Sequence, residues 1–179
     1  ADGMGRIEGF SSLTQAWWLS RQVSAVSTRR ICEIGFNAGH SSMAMLLSAP
    51  RDASLVSFDL GAMSYTPVCA EFIRRVFPDG RFQLVVGPSN VTLPQYLQEN
   101  LESARCDVIY IDGGHEEREA GDDLLLMSLL ATHGRTLVIM DDIGCSGKYC
   151  PGPTAAWARF RKAGRLQELG CEVESFRRW

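Results

Sequence analysis

Short, continuously apolar runs alternate along this chain with longer stretches whose apolar residues recur at helical spacing. The first run is Arg30-Ile31-Cys32-Glu33-Ile34, and Gly35 stops it. Runs over residues 55–58, 82–86, 107–111 and 136–140 follow, ending at Asp59, Gly87, Asp112 and Asp141. Between them the spacing predicts helices over residues 40–48, 66–76, 91–101 and 117–130. Pro67 suits a first helical turn, and Pro94 falls near a helix start. A helix over residues 11–25 precedes the first strand, another over 153–169 follows the fifth, and a sixth strand is expected over 171–176. Strands this short and apolar are buried on both faces. Alternation of strand and helix therefore predicts a mostly parallel sheet between two helical layers, an α/β/α sandwich with right-handed crossovers.

Length and composition sharpen this only slightly. The 179 residues fit one domain, with residues 1–29 as a helical lead-in and 30–179 as the core. Hydrophobic residues make up 45% and charged residues 22%, an ordinary globular mixture. A net charge of -3 gives no nucleic-acid or anionic-membrane signal. No apolar run reaches the roughly 18 residues that a transmembrane helix needs. The chain begins at Ala1 rather than Met, as a trimmed or processed product would, so its start says nothing of a signal or anchor, and location stays open.

Chemistry is expected at the carboxyl ends of the strands, where open α/β sheets bind ligands. Glu33 and Gly35, then Asp59, Gly87, Asp112 and Asp141-Asp142 mark those ends. Acids at strand tips cost solvation unless something uses them. The first loop, Gly35-Phe36-Asn37-Ala38-Gly39, puts Asn37 where a dinucleotide fingerprint would have its second glycine. That suits a ligand with an adenosine but no pyrophosphate. Asp59, 24 residues after Gly35, can accept from both ribose hydroxyls. The bland alternatives are turn glycines and a loop-capping acid.

These segments resemble those of class I S-adenosylmethionine-dependent methyltransferases, in the small group related to metal-dependent O-methyltransferases. The resemblance rests on residues 31–42, on Ser57-Phe58-Asp59-Leu60-Gly61, on Ile111-Asp112-Gly113-Gly114-His115 and on Val138-Ile139-Met140-Asp141-Asp142. It implies a Rossmann-like fold in which Glu33, Gly35 and Gly39 line S-adenosylmethionine, Asp59 holds its ribose and Asp112 borders it. Phe36, Asn37 and Leu60 add backbone or packing contacts. Ser89 is the candidate near the adenine, although Pro88 replaces the acid often found beside it. The family's sheet has a seventh, antiparallel strand that this chain is expected to lack. Its last strand, or a homodimer, would then cover the edge beside residues 136–140.

Three carboxylates converging from Asp112, Asp141 and Asp142 would repel in a low-dielectric cleft, and a divalent cation resolves that repulsion. Oxygen ligands favour Mg²⁺, Mn²⁺ or Ca²⁺. The resemblance also makes His115 a candidate general base, because imidazole changes charge near neutral pH. With Asp112 and His115 as the catalytic pair, the expected reaction is O-methylation of a small hydroxylated acceptor. Lys148 and Tyr149 are candidate acceptor contacts. Rival readings are an NAD-type oxidoreductase and a non-catalytic binding domain on the same fold. An acidic run from Glu116 to Asp123 is expected to be a solvated helix start. Cys32, Cys106 and Cys171 are expected as buried free thiols, while Cys145 and Cys150 leave a local disulfide open.

Overall fold

The computed structural model describes residues 11–100 and 104–172. Its elements run in chain order as α1 (Leu13–Ser24), β1 (Arg30–Ile34), α2 (His40–Ser48), β2 (Ser54–Asp59), α3 (Thr66–Val76) and β3 (Phe82–Val86). They continue as α4 (Ser89–Glu99), β4 (Val108–Ile111), α5 (Glu117–Ser128), β5 (Leu137–Met140) and α6 (Pro151–Lys162). All strand pairs are parallel, in the order β3-β2-β1-β4-β5. Two apolar clusters cover the sheet, one on each face. Ile34, Ile109, Ile111, Leu124 and Phe160 belong to the first, and Ile31, Phe36, Met45, Ile73 and Tyr110 to the second. The predicted three-layer Rossmann-like sandwich is the observed one.

The order of strands decides where a ligand can sit. Connections from β1 run to one side and from β4 to the other, so the crevice opens between the carboxyl ends of these two neighbours. Gly35 lies at that divide with φ +92°. A Cβ on Gly35 would stand 1.8 Å from the Asp112 carbonyl oxygen, so the loops after β1 and β4 touch backbone to backbone.

Helix ends explain where the predicted and observed boundaries part. Helix α6 stops at Lys162, well short of residue 169. Gly164 takes φ +68°, its N–H donates to the Arg161 carbonyl at 3.0 Å and Arg165 N–H donates to the Phe160 carbonyl at 3.1 Å. This paired left-handed cap satisfies the last carbonyls and ends the helix. Residues 166–172 have no regular structure, so Cys171 and Glu172 are not in a strand; the rest of the expected sixth strand lies outside the described residues. At the other end, Ser12 caps α1 by accepting from Gln15 N–H at 2.9 Å.

The cysteines correct one expectation. Cys32 and Cys106 form a disulfide, with Cα atoms 5.9 Å apart, and Cys171 is exposed. Neighbouring strands create the pairing. Cys32 lies in β1, Cys106 lies two residues before the start of β4, and Asp107 N–H donates to the Arg30 carbonyl at 2.9 Å. Cys145 and Cys150 form the second disulfide.

The contact at Gly35 yields a test. Gly35→Ala forces a side chain into a left-handed backbone against the Asp112 carbonyl, which should cost about 1–3 kcal/mol from the backbone conformation alone. Urea unfolding monitored by circular dichroism should show a lower midpoint with an unchanged slope.

Candidate active site

Each strand end delivers a different part of the site. After β1 the chain turns through Asn37 at φ +49° and Gly39 at φ +79°, and Gly39 caps α2. Asp59, at the tip of β2, clasps this loop. Its Oδ2 accepts from Asn37 N–H at 2.9 Å and its Oδ1 from Gly61 N–H at 2.6 Å. A carboxylate oxygen has two lone pairs, so both oxygens keep capacity for hydroxyl donors. At the start of α3, the capping residue Tyr65 donates its OH to Asn37 Oδ1 at 2.5 Å and Thr66 Oγ1 donates to the Asn37 carbonyl at 3.0 Å.

Glu33, expected to line the ligand, supports the loop from a buried position. It is completely buried in β1, and its two carboxylate oxygens accept from the hydroxyls of Ser41 and Ser42 on the first turn of α2. Burial raises its pKa, and the two serine hydroxyls act in the opposite direction. The Phe36 side chain is likewise core, 5.3 Å from the Phe82 ring, so it packs beneath the loop. Leu60 stands exposed beside Asp59.

Asp123 departs from the solvated acidic face expected of its helix. It is buried, with Oδ1 accepting from Ser89 Oγ at 2.7 Å and Oδ2 from Gly114 N–H at 3.4 Å. Burial raises its pKa while these two donors oppose the shift. Asp123 thereby ties the loop after β4 to the start of α4, the region where Ser89 was expected. Helical phase carried the signal: Ala120, Leu124 and Met127 share the inward face with it.

Beyond β4 and β5 the acids divide. Ligand atoms of Asp112, His115 and Asp142 lie within 4.8 Å of one another. Asp141 does not join that group. Its Oδ2 accepts from Tyr110 OH at 2.7 Å and from Gln15 Nε2 at 2.5 Å, and its Oδ1 accepts from Asp142 N–H at 2.8 Å. Asp142 holds φ +57°, which turns its carboxylate toward His115, with His115 Nε2 3.0 Å from its Oδ2. Of the expected Asp112–Asp141–Asp142 triad, Asp112 and Asp142 converge with His115, and Asp141 lies beside them, accepting from the Asp142 N–H.

Electrostatics mark the same place. Burial raises the Asp112 pKa well above the usual carboxylate range, and Asp141, Asp142 and Glu33 raise it further. Asp142 is raised by burial and then by Asp141, against the lowering effect of His115. Tyr110 is raised well above the ordinary phenol, first by burial and then by Asp112 and Asp141, so it stays a neutral donor.

Gln15 and Tyr110 are site residues that the sequence analysis did not single out. Tyr110 could have been found, because it lies in β4 two residues before Asp112, at the alternation that places both on one side of the sheet. Nothing local signals Gln15, which is 126 residues from its partner. Tyr149 packs against His115 with ring centroids 4.9 Å apart and planes tilted by 45°, and Lys148 Nζ lies 4.9 Å from the Tyr149 ring centroid. His40 is exposed at the start of α2 and His133 in a turn.

Comparison with protein families matches residues 32–143 to the methyltransferase domain family. The chain belongs to that family. By family it is a methyltransferase, and the oxidoreductase alternative falls away. Solved structures agree on the fold. The O-methyltransferase TomG from Streptomyces achromogenes, in complex with SAM, is 20% identical, with TM-score 0.69 over 88% of this chain and 71% of TomG. An O-methyltransferase from Bacillus cereus in complex with SAH is 19% identical, with TM-score 0.68 over 87% and 70%. SAH-bound PaMTH1 from Podospora anserina is 19% identical, with TM-score 0.65 over 86% and 70%. A search of curated proteins gives no match.

The crowded acids predict a pH dependence in metal-free protein. Raised native pKa values mean that the folded state holds protons which the unfolded state releases, so stability falls as pH rises through the raised range of Asp112 and Asp142. Urea midpoints should therefore be higher at mildly acidic than at neutral pH, until the ordinary carboxylates protonate. Asp112→Asn should flatten this slope.

Proposed function

We propose that this methyltransferase moves the methyl group of S-adenosylmethionine to a hydroxyl oxygen of a small acceptor, assisted by one divalent cation. The single observation that carries the reading is the convergence of Asp112, His115 and Asp142 beside the loop that Asp59 clasps. That donor set suits a hard cation such as Mg²⁺, Mn²⁺ or Ca²⁺, because two carboxylates supply oxygens, and burial together with the neighbouring Asp141 raises the pKa of both. Asp112 and Asp142 would hold the cation, which when bound supplies Lewis-acid stabilisation of an oxyanion.

The chain's own residues do the rest. Asp59 offers its spare lone pairs to the ribose hydroxyls, while Asn37 and Gly39 shape the loop around an adenosine-bearing ligand without phosphate. Ser89, held by Asp123, borders the adenine side. His115 takes the acceptor's hydroxyl proton, and Asp142 steadies the imidazolium that results. Asp141, fixed by Tyr110 and Gln15, supports Asp142 through its backbone N–H. The acceptor oxygen attacks the sulfonium methyl in line; the carbon–sulfur bonding pair returns to sulfur as the new carbon–oxygen bond forms. Tyr149 and Lys148 flank His115 and suit an aromatic or polyhydroxylated acceptor.

Three measurements test this. Isothermal titration should show S-adenosylmethionine binding to the protein and NAD binding poorly, and Asp59→Ala should weaken the former without changing the circular dichroism spectrum. Transfer of labelled methyl to a panel of catechols, glycosides and small phenols should require Mg²⁺ or a similar ion and stop with a strong chelator. Transfer that survives the chelator removes the cation from the proposal. His115→Ala should slow transfer by about 10²–10⁴-fold, the usual span for a positioned base, while leaving Mg²⁺ affinity largely intact; Asp142→Asn should weaken both.

A further inference from the structure

Asp142 stands between two donor sets, and the reaction above uses only one of them. On the other side, the sulfurs of Cys145 and Cys150 and the Asp142 carboxylate come within 4.8 Å of one another. Four residues separate the two cysteines, Ser146-Gly147-Lys148-Tyr149. That interval falls in the spacing by which paired thiolates hold zinc. The disulfide joins the two sulfurs, and hydrogen bonds fix the backbone of the loop that carries them. Cys150 N–H donates to the Gly147 carbonyl at 3.2 Å, and Gly144 N–H donates to Thr154 Oγ1 at 2.9 Å, tying the start of the loop to α6. Gly147 has no side chain where a Cβ would stand 3.3 Å from the Cys150 sulfur. Cys150 is buried and Cys145 is exposed, so a solute reaches the pair from one side.

We infer that Cys145, Cys150 and Asp142 form a redox-gated binding site for a soft divalent cation of the Zn²⁺ type, closed by the disulfide and opened by its reduction. The opening step needs a dithiol reductant. Its two electrons and two protons break the Cys145–Cys150 bond and leave two thiols, while the reductant becomes a disulfide. Each thiol then releases its proton to solvent as the cation binds. Thiolates select zinc-like cations and carboxylates select Mg²⁺-like ones, so the two sites share Asp142 but differ in preference. A cation on the sulfur side withdraws Asp142 from His115 and shifts the loop that carries Tyr149 against the same ring. Only this consequence rests on the proposed function; the cation site itself stands on the donors.

Co²⁺ is the probe that tests it, because thiolate–Co²⁺ bonds absorb in the near ultraviolet and oxygen-bound Co²⁺ does not. The protein is the full chain with Cys69→Ser and Cys171→Ser, which removes the two free thiols among the described residues. Brief anaerobic reduction should release two thiols per chain, leaving the buried Cys32–Cys106 bond intact. One equivalent of Co²⁺ should then give the thiolate band, Zn²⁺ should abolish it, and the oxidised protein should show none. Asp142→Asn should move the titration to about tenfold higher Co²⁺ or more. Cys145→Ser should lose most of the band; because Cys145 is exposed, this variant stands even where Cys150→Ser does not fold. Reduced protein with two free thiols, a native circular dichroism spectrum and no thiolate band overturns the inference. So does a band unchanged in Cys145→Ser. Neither result depends on methyl transfer, so this inference and the functional reading fail separately.

Discussion

Repulsion among Asp112, Asp141 and Asp142 is the constraint around which the carboxyl end of the sheet is arranged. Parallel pairing of β4 with β5 puts Ile111 opposite Met140, so the residues that follow, Asp112 and Asp141, emerge side by side. Nothing in the strands themselves separates the charges. The surrounding structure does so by giving each acid a different set of partners. Asp141 is satisfied by donors from α1, β4 and its own neighbour. Asp142 is turned by a left-handed backbone toward His115. Asp112 keeps the unrelieved share, and burial, with its acidic neighbours adding to it, raises its pKa.

The same end of the sheet shows why supports must be buried. Glu33 and Asp123 are acids in apolar surroundings, and each is matched by hydroxyl donors on a neighbouring helix: Ser41 and Ser42 on α2 for Glu33, Ser89 on α4 for Asp123. A buried carboxylate with fixed donors specifies one loop geometry, because any other leaves it unsatisfied. Glu33 fixes the glycine loop to α2 from below, while Asp59 fixes it from the side. The groups facing the crevice can then be few.

The loop after β5 joins the acids to the exterior. It carries Asp142, the Cys145–Cys150 pair and Tyr149 before α6 begins. Helix α6 enters close against the loop after β4: a Cβ on Gly152 would stand 2.1 Å from the His115 carbonyl oxygen. Any change in that loop is therefore felt at His115, through backbone contact as well as through Asp142 and Tyr149.

The fold was written in the order of residues. Apolar runs of four to six residues specify strands by their periodicity, and β1, α2, α3 and β3 fall on their predicted bounds. Strand-end acids and glycines were legible for the same reason, since each sits where a pattern stops. Partners that meet only through packing were not legible. Gln15 reaches Asp141 from 126 residues away in the chain, and Cys32 reaches Cys106 because β1 and β4 are neighbours in the sheet but far apart in the chain. The choice of Asp142 over Asp141 as the partner of His115 was likewise tertiary. Both are the same residue type in adjacent positions, and only the direction of the backbone at Asp142 and the donors around Asp141 tell them apart. Local sequence sets periodicity and chain reversals; the assignment of roles among like charges depends on which distant groups arrive to solvate them.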